Sequence, residues 1–456
     1  MPITNLKIHG YRGFQTQGSI NFATPNGQFG SGLTTITGSN NSGKSSILEC
    51  LRARAGNADI SFTAGTRNTK INKVEIIYVV DNVEQKIESV SKGSSEVKST
   101  KIDEPRIGVM VLPSRRAFSA YFGKNSYSRE TYISVSKLPP QRSSQLDHFS
   151  SRLFTTLGNA DEFNKILNKV LMHEPQWTID QSDQGQYFLK FFNGEHSHSS
   201  DGMGEGIVSI FAIVDSLYDS KPGDVVVIDE PELSLHPSLQ KRVSDLLCEY
   251  AIDRQIIIST HSPYFVSPRS LANGGALARV VSENDGTKIY QLSEKSKGSI
   301  SRLAETNLFN PHIFGLDARE LFFQEDRIVI TEGQEDVLLL PQIAEQLGIQ
   351  VNWAFFGWGA GGAGNIGHLC AIFKDLGFKK VVGLLDGDKA NDRDKLSKEF
   401  PEFHFLCIPA KDIRTKPARK AEEEVIGLLD TDRKLRAEHK LKMTELFADL
   451  KKSLEN

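Results

Sequence analysis

A chain of 456 residues, 39% hydrophobic and 24% charged, is of ordinary globular composition and too long for one compact core, so two to three domains are expected. The formal net charge of −3 supplies no overall positive field, which argues against a nucleic-acid coat or packaging protein and leaves only local basic patches for such binding. Cys50, Cys248, Cys370 and Cys407 form no CxxC pair, the first residues lack a secretory apolar core, and no apolar run approaches the ~18 residues of a membrane span. Zinc ribbon, disulfide framework and transmembrane readings fall away, and a cytoplasmic protein without a membrane partner is expected.

In chain order, residues 1–37 read as strand-rich, with 33–37 entering a Gly-rich loop that a helix follows beyond Ser45. Further strands are predicted at 73–80 and 109–112, and helical stretches over about 115–175, 161–171 the clearest, suggest an inserted helical subdomain. His196 and His198 fall in a polar loop and receive no role. From 225 the pattern alternates strand 225–228, helix 239–250 and strand 255–259. A mixed connector precedes a second alternation: strand 327–331, helix 336–347, strand 351–355, helix 366–376 and strand 381–385, with a Lys/Glu-rich helix at 431–456. Apolar strands separated by helices imply parallel sheets with crossovers. The expected class is α/β: a first domain over 1–300, a connector at 301–325 and a Rossmann-like domain with a parallel sheet over 326–456.

Gly38-Ser39-Asn40-Asn41-Ser42-Gly43-Lys44-Ser45 follows a predicted strand and opens a helix, the context a phosphate-binding loop requires. Backbone N–H groups along Asn40, Asn41, Ser42 and Gly43, with Lys44, Ser45 and Ser46, would cradle the phosphates of ATP, and the Ser45 hydroxyl would reach Mg²⁺. Asp229 and Glu230 end the apolar strand Val225-Val226-Val227-Ile228; Asp229 suits the same Mg²⁺ and Glu230 can polarise the attacking water. His261, at the end of the next strand, is a candidate γ-phosphate contact. Fewer than two hundred residues separate Lys44 from Asp229 without a sustained heptad, which excludes a long coiled-coil arm.

This set resembles the ABC-type ATPase heads of the RecF and structural-maintenance-of-chromosomes group. The resemblance implies a homodimer in which ATP lies between two heads and a signature segment acts in trans. Ser200-Asp201-Gly202-Met203-Gly204-Glu205-Gly206 is the best match, with Ser200 and Gly202 as the contacts. Leu112-Pro113-Ser114-Arg115-Arg116 resembles an arginine-containing stretch of such heads.

Glu332 and the pair Asp386 and Asp388 each directly follow a short apolar strand, so a parallel sheet would place them at one carboxyl edge, where open α/β sheets bind ligands. Converging carboxylates suit Mg²⁺ or Mn²⁺ and are costly without a cation. Glu335, Asp392 and Asp394 read as solvated acids. The glycine-rich run from Gly357 to Gly364 reads as a flexible loop beside that edge in preference to a dinucleotide site. Lys411, Arg414, Lys416, Arg419 and Lys420 concentrate positive charge in ten residues, as a solvated face or a phosphate contact.

Glu332-Gly333-Gln334-Glu335-Asp336 with Asp386-Gly387-Asp388 resembles the Toprim domain. The resemblance implies Glu332 as general acid or base, Glu332, Asp336, Asp386 and Asp388 as metal ligands, and a lysine on the scissile phosphate, Lys416 or Lys420. An ATPase followed by Toprim resembles the OLD family of ATP-dependent nucleases, which includes the Gabija nuclease and retron-associated effectors. The implied function is an ATP-governed, Mg²⁺- or Mn²⁺-dependent endonuclease acting on DNA, with tRNA or other RNA as another target, in antiphage defence and with a second component. The competing expectation is an ATPase sensor or scaffold of a defence or repair complex that binds without cutting.

Overall fold

Strands buried on both faces need a run of apolar or small side chains, and Leu33–Thr37, Val225–Asp229 and Gln255–Ser259, with only Gln255 and Asp229 breaking the run at an end, are buried at every position. In the computed structural model they lie side by side at the centre of a six-stranded sheet. Its order is Gly286–Gln291, Ala276–Glu283, Leu33–Thr37, Gln255–Ser259, Val225–Asp229, Val109–Leu112. All neighbours are parallel except the edge pair of Ala276–Glu283 with Gly286–Gln291. The structure describes residues 2–55, 60, 62–63, 65–102, 107–116, 118–119, 121–135, 146, 148–199, 204–307, 312, 319, 322, 326–416 and 424–455.

Alternation along these strands divides the core in two. Val225, Val227, Ile257 and Ile36 pack with the helix Lys44–Arg54 and a five-stranded antiparallel sheet built from Ile3–His9, Gly18–Asn21, Glu75–Val80, Val83–Ser89 and Val97–Thr100. Val226, Ile228, Ile256 and Ile258 face the opposite way, onto the helices Phe149–Leu157, Ala160–Leu171, Glu205–Tyr218 and Pro237–Tyr250. Full burial of one such side chain stabilises by about 1.5–3 kcal/mol, so the doubly covered sheet is the rigid frame for the loops at its carboxyl ends.

Beyond the helical stretches expected near 115–175 stands a three-stranded antiparallel sheet, Gln176–Gln181, Tyr187–Asn193 and His196–Ser199. It places His196 and His198 on a strand, not in a loop. The signal was present in Asn193-Gly194, a hairpin dipeptide whose Gly194 has φ 63°, and in the alternation of Trp177, Leu189 and Phe191 inward.

The chain divides into two compact units, Met1–Gln291 and Leu292–Asn456. The second holds a four-stranded, wholly parallel sheet in the order Ala354–Phe355, Ile328–Thr331, Val381–Leu385, His404–Cys407. Most of the connector expected at 301–325 lies outside the described residues. The expected strand at 351–355 is only the edge pair Ala354–Phe355, shorter at its start; Gly357, Gly359 and Gly361 carry the chain into positive φ directly after it. The C-terminal helix begins only at Lys440: the Asp430 carboxylate accepts the N–H groups of Asp432 and Lys434 and gives 431–436 a local alternative to helix.

Candidate functional site

At the carboxyl end of Leu33–Thr37 the loop turns through Gly38 at φ 142°, Asn41 at 62° and Gly43 at 110° into the helix Lys44–Arg54. Only glycine fits at Gly38, where a Cβ would lie 2.2 Å from the Val280 carbonyl oxygen. Lys44 is buried and donates to the Gly38 and Ser39 carbonyls at 2.9 and 3.0 Å. Burial pushes its ammonium pKa down, against the opposing pull of Glu230, Asp229 and Glu232. The Ser42 hydroxyl is buried and meets no hydrogen-bond partner among the described residues. A polar atom left so in a loop of this shape suits a phosphate oxygen. Asn40 is exposed, Ser45 half-buried and Ser46 buried at the mouth of the same loop.

Asp229 and His261 come from the carboxyl ends of neighbouring parallel strands, Asp229 pairing in register with Ser259. Asp229 accepts a hydrogen bond from the Ser259 hydroxyl. Glu230 carries its side chain 3.9 Å from His261 Nε2. Burial, then Asp229, raise the Glu230 pKa, while burial and Lys44 lower that of His261, so the imidazole is held neutral beside a carboxylate of increased basicity. A more basic carboxylate accepts a proton from water more readily. Ser200 and Gly202 lie outside the described residues.

Two further side chains organise this site. Arg116, 3% exposed, donates to the backbone oxygens of Asp229 at 2.7 Å and Glu230 at 2.9 Å, to Pro113 O at 2.8 Å and to the Ser209 hydroxyl at 2.8 Å. Glu232 accepts from the Thr260 hydroxyl at 2.8 Å and from the His261 N–H at 2.6 Å, fixing the histidine's backbone. Glu232 directly follows Pro231, and nothing local in the sequence marks it.

In the second unit Thr331 pairs with Leu384, so Glu332 and Asp386 leave the ends of adjacent strands one residue apart in register. The Asp386 N–H donates to Glu332 Oε1 at 2.9 Å. Asp336, in the first turn of the helix Gln334–Gln346, accepts the Gly333 N–H at 3.0 Å and closes that helix's N-terminus. These three acids, with Asp412 and Lys416, line one cavity of about 470 Å³. Burial raises all three: Glu332 upward, Asp336 to about 6 and Asp386 to about 8, the last also through Asp336 and Glu332.

Asp388 departs from the others. It is 48% exposed, does not line the cavity, and stands 4.0 Å from Lys389 Nζ. The turn is fixed by Gly387, whose N–H donates to Ala410 O at 2.8 Å and whose missing Cβ would meet that oxygen at 2.4 Å. Asp412, in the basic stretch, is an acid that local spacing did not single out; it pairs with Lys416 and keeps that lysine protonated. Lys420 lies outside the described residues. The donor set is all carboxylate oxygen, which fits a hard divalent cation, although among the described residues no three acids, histidines or cysteines stand at spacing to hold one ion.

The glycine-rich run is pinned to the acids. Ala360 donates to Thr331 O and Gly362 to Glu332 O, each at 2.8 Å, and a Cβ on Gly359 would lie 2.6 Å from the Gly333 carbonyl. Glu335 pairs with Arg414, and Asp394 with Arg393, on the outside.

The sequence profile of a family described as "AAA domain, putative AbiEii toxin, Type IV TA system" matches residues 33–267. An OLD nuclease of Thermus scotoductus is 30% identical over 170 residues, which are 35% of this chain and 30% of that protein's length. Among solved structures, the SMC head domain from Thermotoga maritima covers 64% of this chain and 100% of its own at 15% identity, with a TM-score of 0.39. An Smc head domain with an extended coiled coil, bound to the C-terminal domain of ScpA and derived from Pyrococcus furiosus, covers 67% and 99% at 14% identity, with a TM-score of 0.41. No helix among the described residues is long and apolar enough to cross a membrane.

Proposed function

This chain belongs to that AAA-domain family, an ATPase by its nucleotide site, and on that premise we propose that ATP turnover governs a metal-dependent endonuclease acting on DNA in antiphage defence. One observation carries the nuclease reading. Glu332 and Asp386, delivered by adjacent parallel strands, meet Asp336 and Lys416 around a single cavity in a unit read as a Toprim domain. The partial identity to an OLD nuclease supports the same reading.

Glu332, Asp336 and Asp386, with Asp388 at the rim, are the carboxylates that would have to draw together to hold a divalent ion, which when bound would supply charge neutralisation at a phosphodiester. The chain's own groups do the rest. Lys416, kept protonated by Asp412, presents a cation to a phosphate entering the cavity. Glu332, raised by burial, takes or returns a proton there. In the ATPase unit Glu230 would orient water, and Asp229 with Ser45 would hold the nucleotide's Mg²⁺. Two copies would engage head to head, with Ser200 and Gly202 acting on the partner's ATP.

The test is conversion of supercoiled plasmid with Mg²⁺ or Mn²⁺, with and without ATP, by the wild type and Asp386→Ala. Nicking that disappears in the variant while ATP hydrolysis persists is the expected result. Cutting retained by Asp386→Ala would sink the reading. The wide spacing of the acids favours a second reading, an ATPase sensor or scaffold that binds a partner or nucleic acid without cutting. It predicts an intact plasmid with both proteins and a shifted nucleic acid in gel retardation.

A further inference from the structure

Glu230 holds a backbone conformation that its residue type disfavours. Its φ of 47° lies in the left-handed region, which is unfavourable for a side-chain-bearing residue and persists only where the surroundings enforce it. Three contacts enforce it here: its N–H donates to Ser259 O at 2.8 Å, its carbonyl accepts Leu233 N–H at 3.1 Å, and the same carbonyl accepts Arg116 Nη2 at 2.9 Å. Of these, only the arginine reaches outside the sheet edge and its turn. Its Nη1 takes the Asp229 carbonyl, so the two carbonyls on either side of the catalytic carboxylate's own Cα–N bond are held by one rigid fork.

The remaining nitrogen of that fork, Nε, donates to the hydroxyl of Ser209 in the second turn of the helix Glu205–Tyr218. The start of this helix also touches the chain beyond Glu230. The Ser234 hydroxyl donates to Glu205 at 3.0 Å, and Gly206 packs so close that a Cβ would stand 2.4 Å from Ser234 O. Further along, Asp215 and Asp219 are gripped by the buried Arg152 of Phe149–Leu157, and Arg129 caps Ser216 O at 2.9 Å. The helix is therefore tied both to the catalytic turn and to the helical layer above it.

We propose that Arg116 is a positioning residue for ATP hydrolysis: it holds Glu230 in its left-handed conformation and, through Ser209, makes that conformation depend on where the helix Glu205–Tyr218 sits. Arg116 is buried and its N–H groups go to backbone oxygens and the Ser209 hydroxyl, so its loss acts on the orientation of Glu230 and spares the phosphate loop, which Lys44 and Gly38 build independently. The inference rests on the ATPase assignment and not on the nuclease reading; plasmid cutting plays no part in its test.

Steady-state ATP hydrolysis and equilibrium binding of a non-hydrolysable ATP analogue are measured for Arg116→Lys, Ser209→Ala and Ser209→Thr, with thermal denaturation alongside. Arg116→Lys keeps the charge but loses the planar fork; kcat falls at least tenfold while analogue affinity stays within threefold. Ser209→Ala, a small change that leaves the fold intact, lowers kcat at least threefold with KM within twofold, and Ser209→Thr, which retains the hydroxyl, restores it. Wild-type kcat in Ser209→Ala overturns the proposal, as does a loss of kcat in Arg116→Lys matched by an equal loss of nucleotide affinity.

Discussion

Replacing Gly359 by alanine separates two costs that the structure sets out. Gly359 has φ 81°, and a methyl there meets Gly333 backbone atoms at 2.6–2.8 Å, none of which can swing aside. The left-handed conformation costs about 1–2 kcal/mol and forced overpacking about 1–3 kcal/mol, so Gly359→Ala should destabilise the second unit by about 2–5 kcal/mol. Gly348→Ala is the control: its φ is 68° but nothing lies within 4 Å, leaving only the conformational cost of about 1–2 kcal/mol. Because Gly333 comes directly after Glu332, the clash also displaces the acid edge, and Gly359→Ala should lose plasmid cutting that Gly348→Ala keeps. Urea denaturation followed by Trp353 and Trp358 fluorescence in a Trp177→Phe background reads the second unit alone. Equal losses of stability in the two variants would refute the reasoning, since they would mean that Gly359 does not brace Gly333.

Two more outcomes concern buried charge. Arg152→Met leaves Asp215 and Asp219 without their buried guanidinium and should destabilise the first unit by about 3–5 kcal/mol, against a much smaller loss when Asp215→Asn and Asp219→Asn are added; thermal or urea unfolding distinguishes this from a surface pair worth under about 1 kcal/mol. In chelator, Asp336 and Asp386 hold protons in the folded state up to about pH 6 and about pH 8, whereas an unfolded aspartate releases its proton near ~3.9. Their contribution is therefore full below that value and is lost as pH rises to 8, so the second unit's Tm should fall across pH 5–8, less steeply in Asp386→Asn. A Tm that rises with pH in this window, or an unchanged slope in the variant, contradicts the assignment.

Much of this site was legible because its signals are local. Gly38, Gly43 and Lys44 sit at fixed spacing where a strand becomes a helix; positive φ demands the two glycines, and phosphate charge calls for the lysine. The same holds for Asp229, Glu332 and Asp386, each ending an apolar strand, since parallel strands deliver the residues at their carboxyl ends to one edge. Element boundaries in the alternating regions agree to within a few residues for the same reason. The hairpin sheet from Gln176 to Ser199 was equally local, and its Asn193-Gly194 turn marks it.

What tertiary structure alone decided is which side chains at those edges face one another. Arg116 meets Asp229 across 113 residues of chain, and Glu232 meets His261 across 29, contacts that no periodicity encodes. Asp388 has the same strand-end placement as Asp386, yet the packing of Gly387 on Ala410 leaves it outside the cavity, while Asp412 enters from a stretch whose sequence reads as basic. Sequence determines the edge at which the acids arrive, because strand direction and hydrophobic period are backbone properties. Which of them share a cavity depends on how neighbouring loops pack, and that is settled only when chain segments far apart come together.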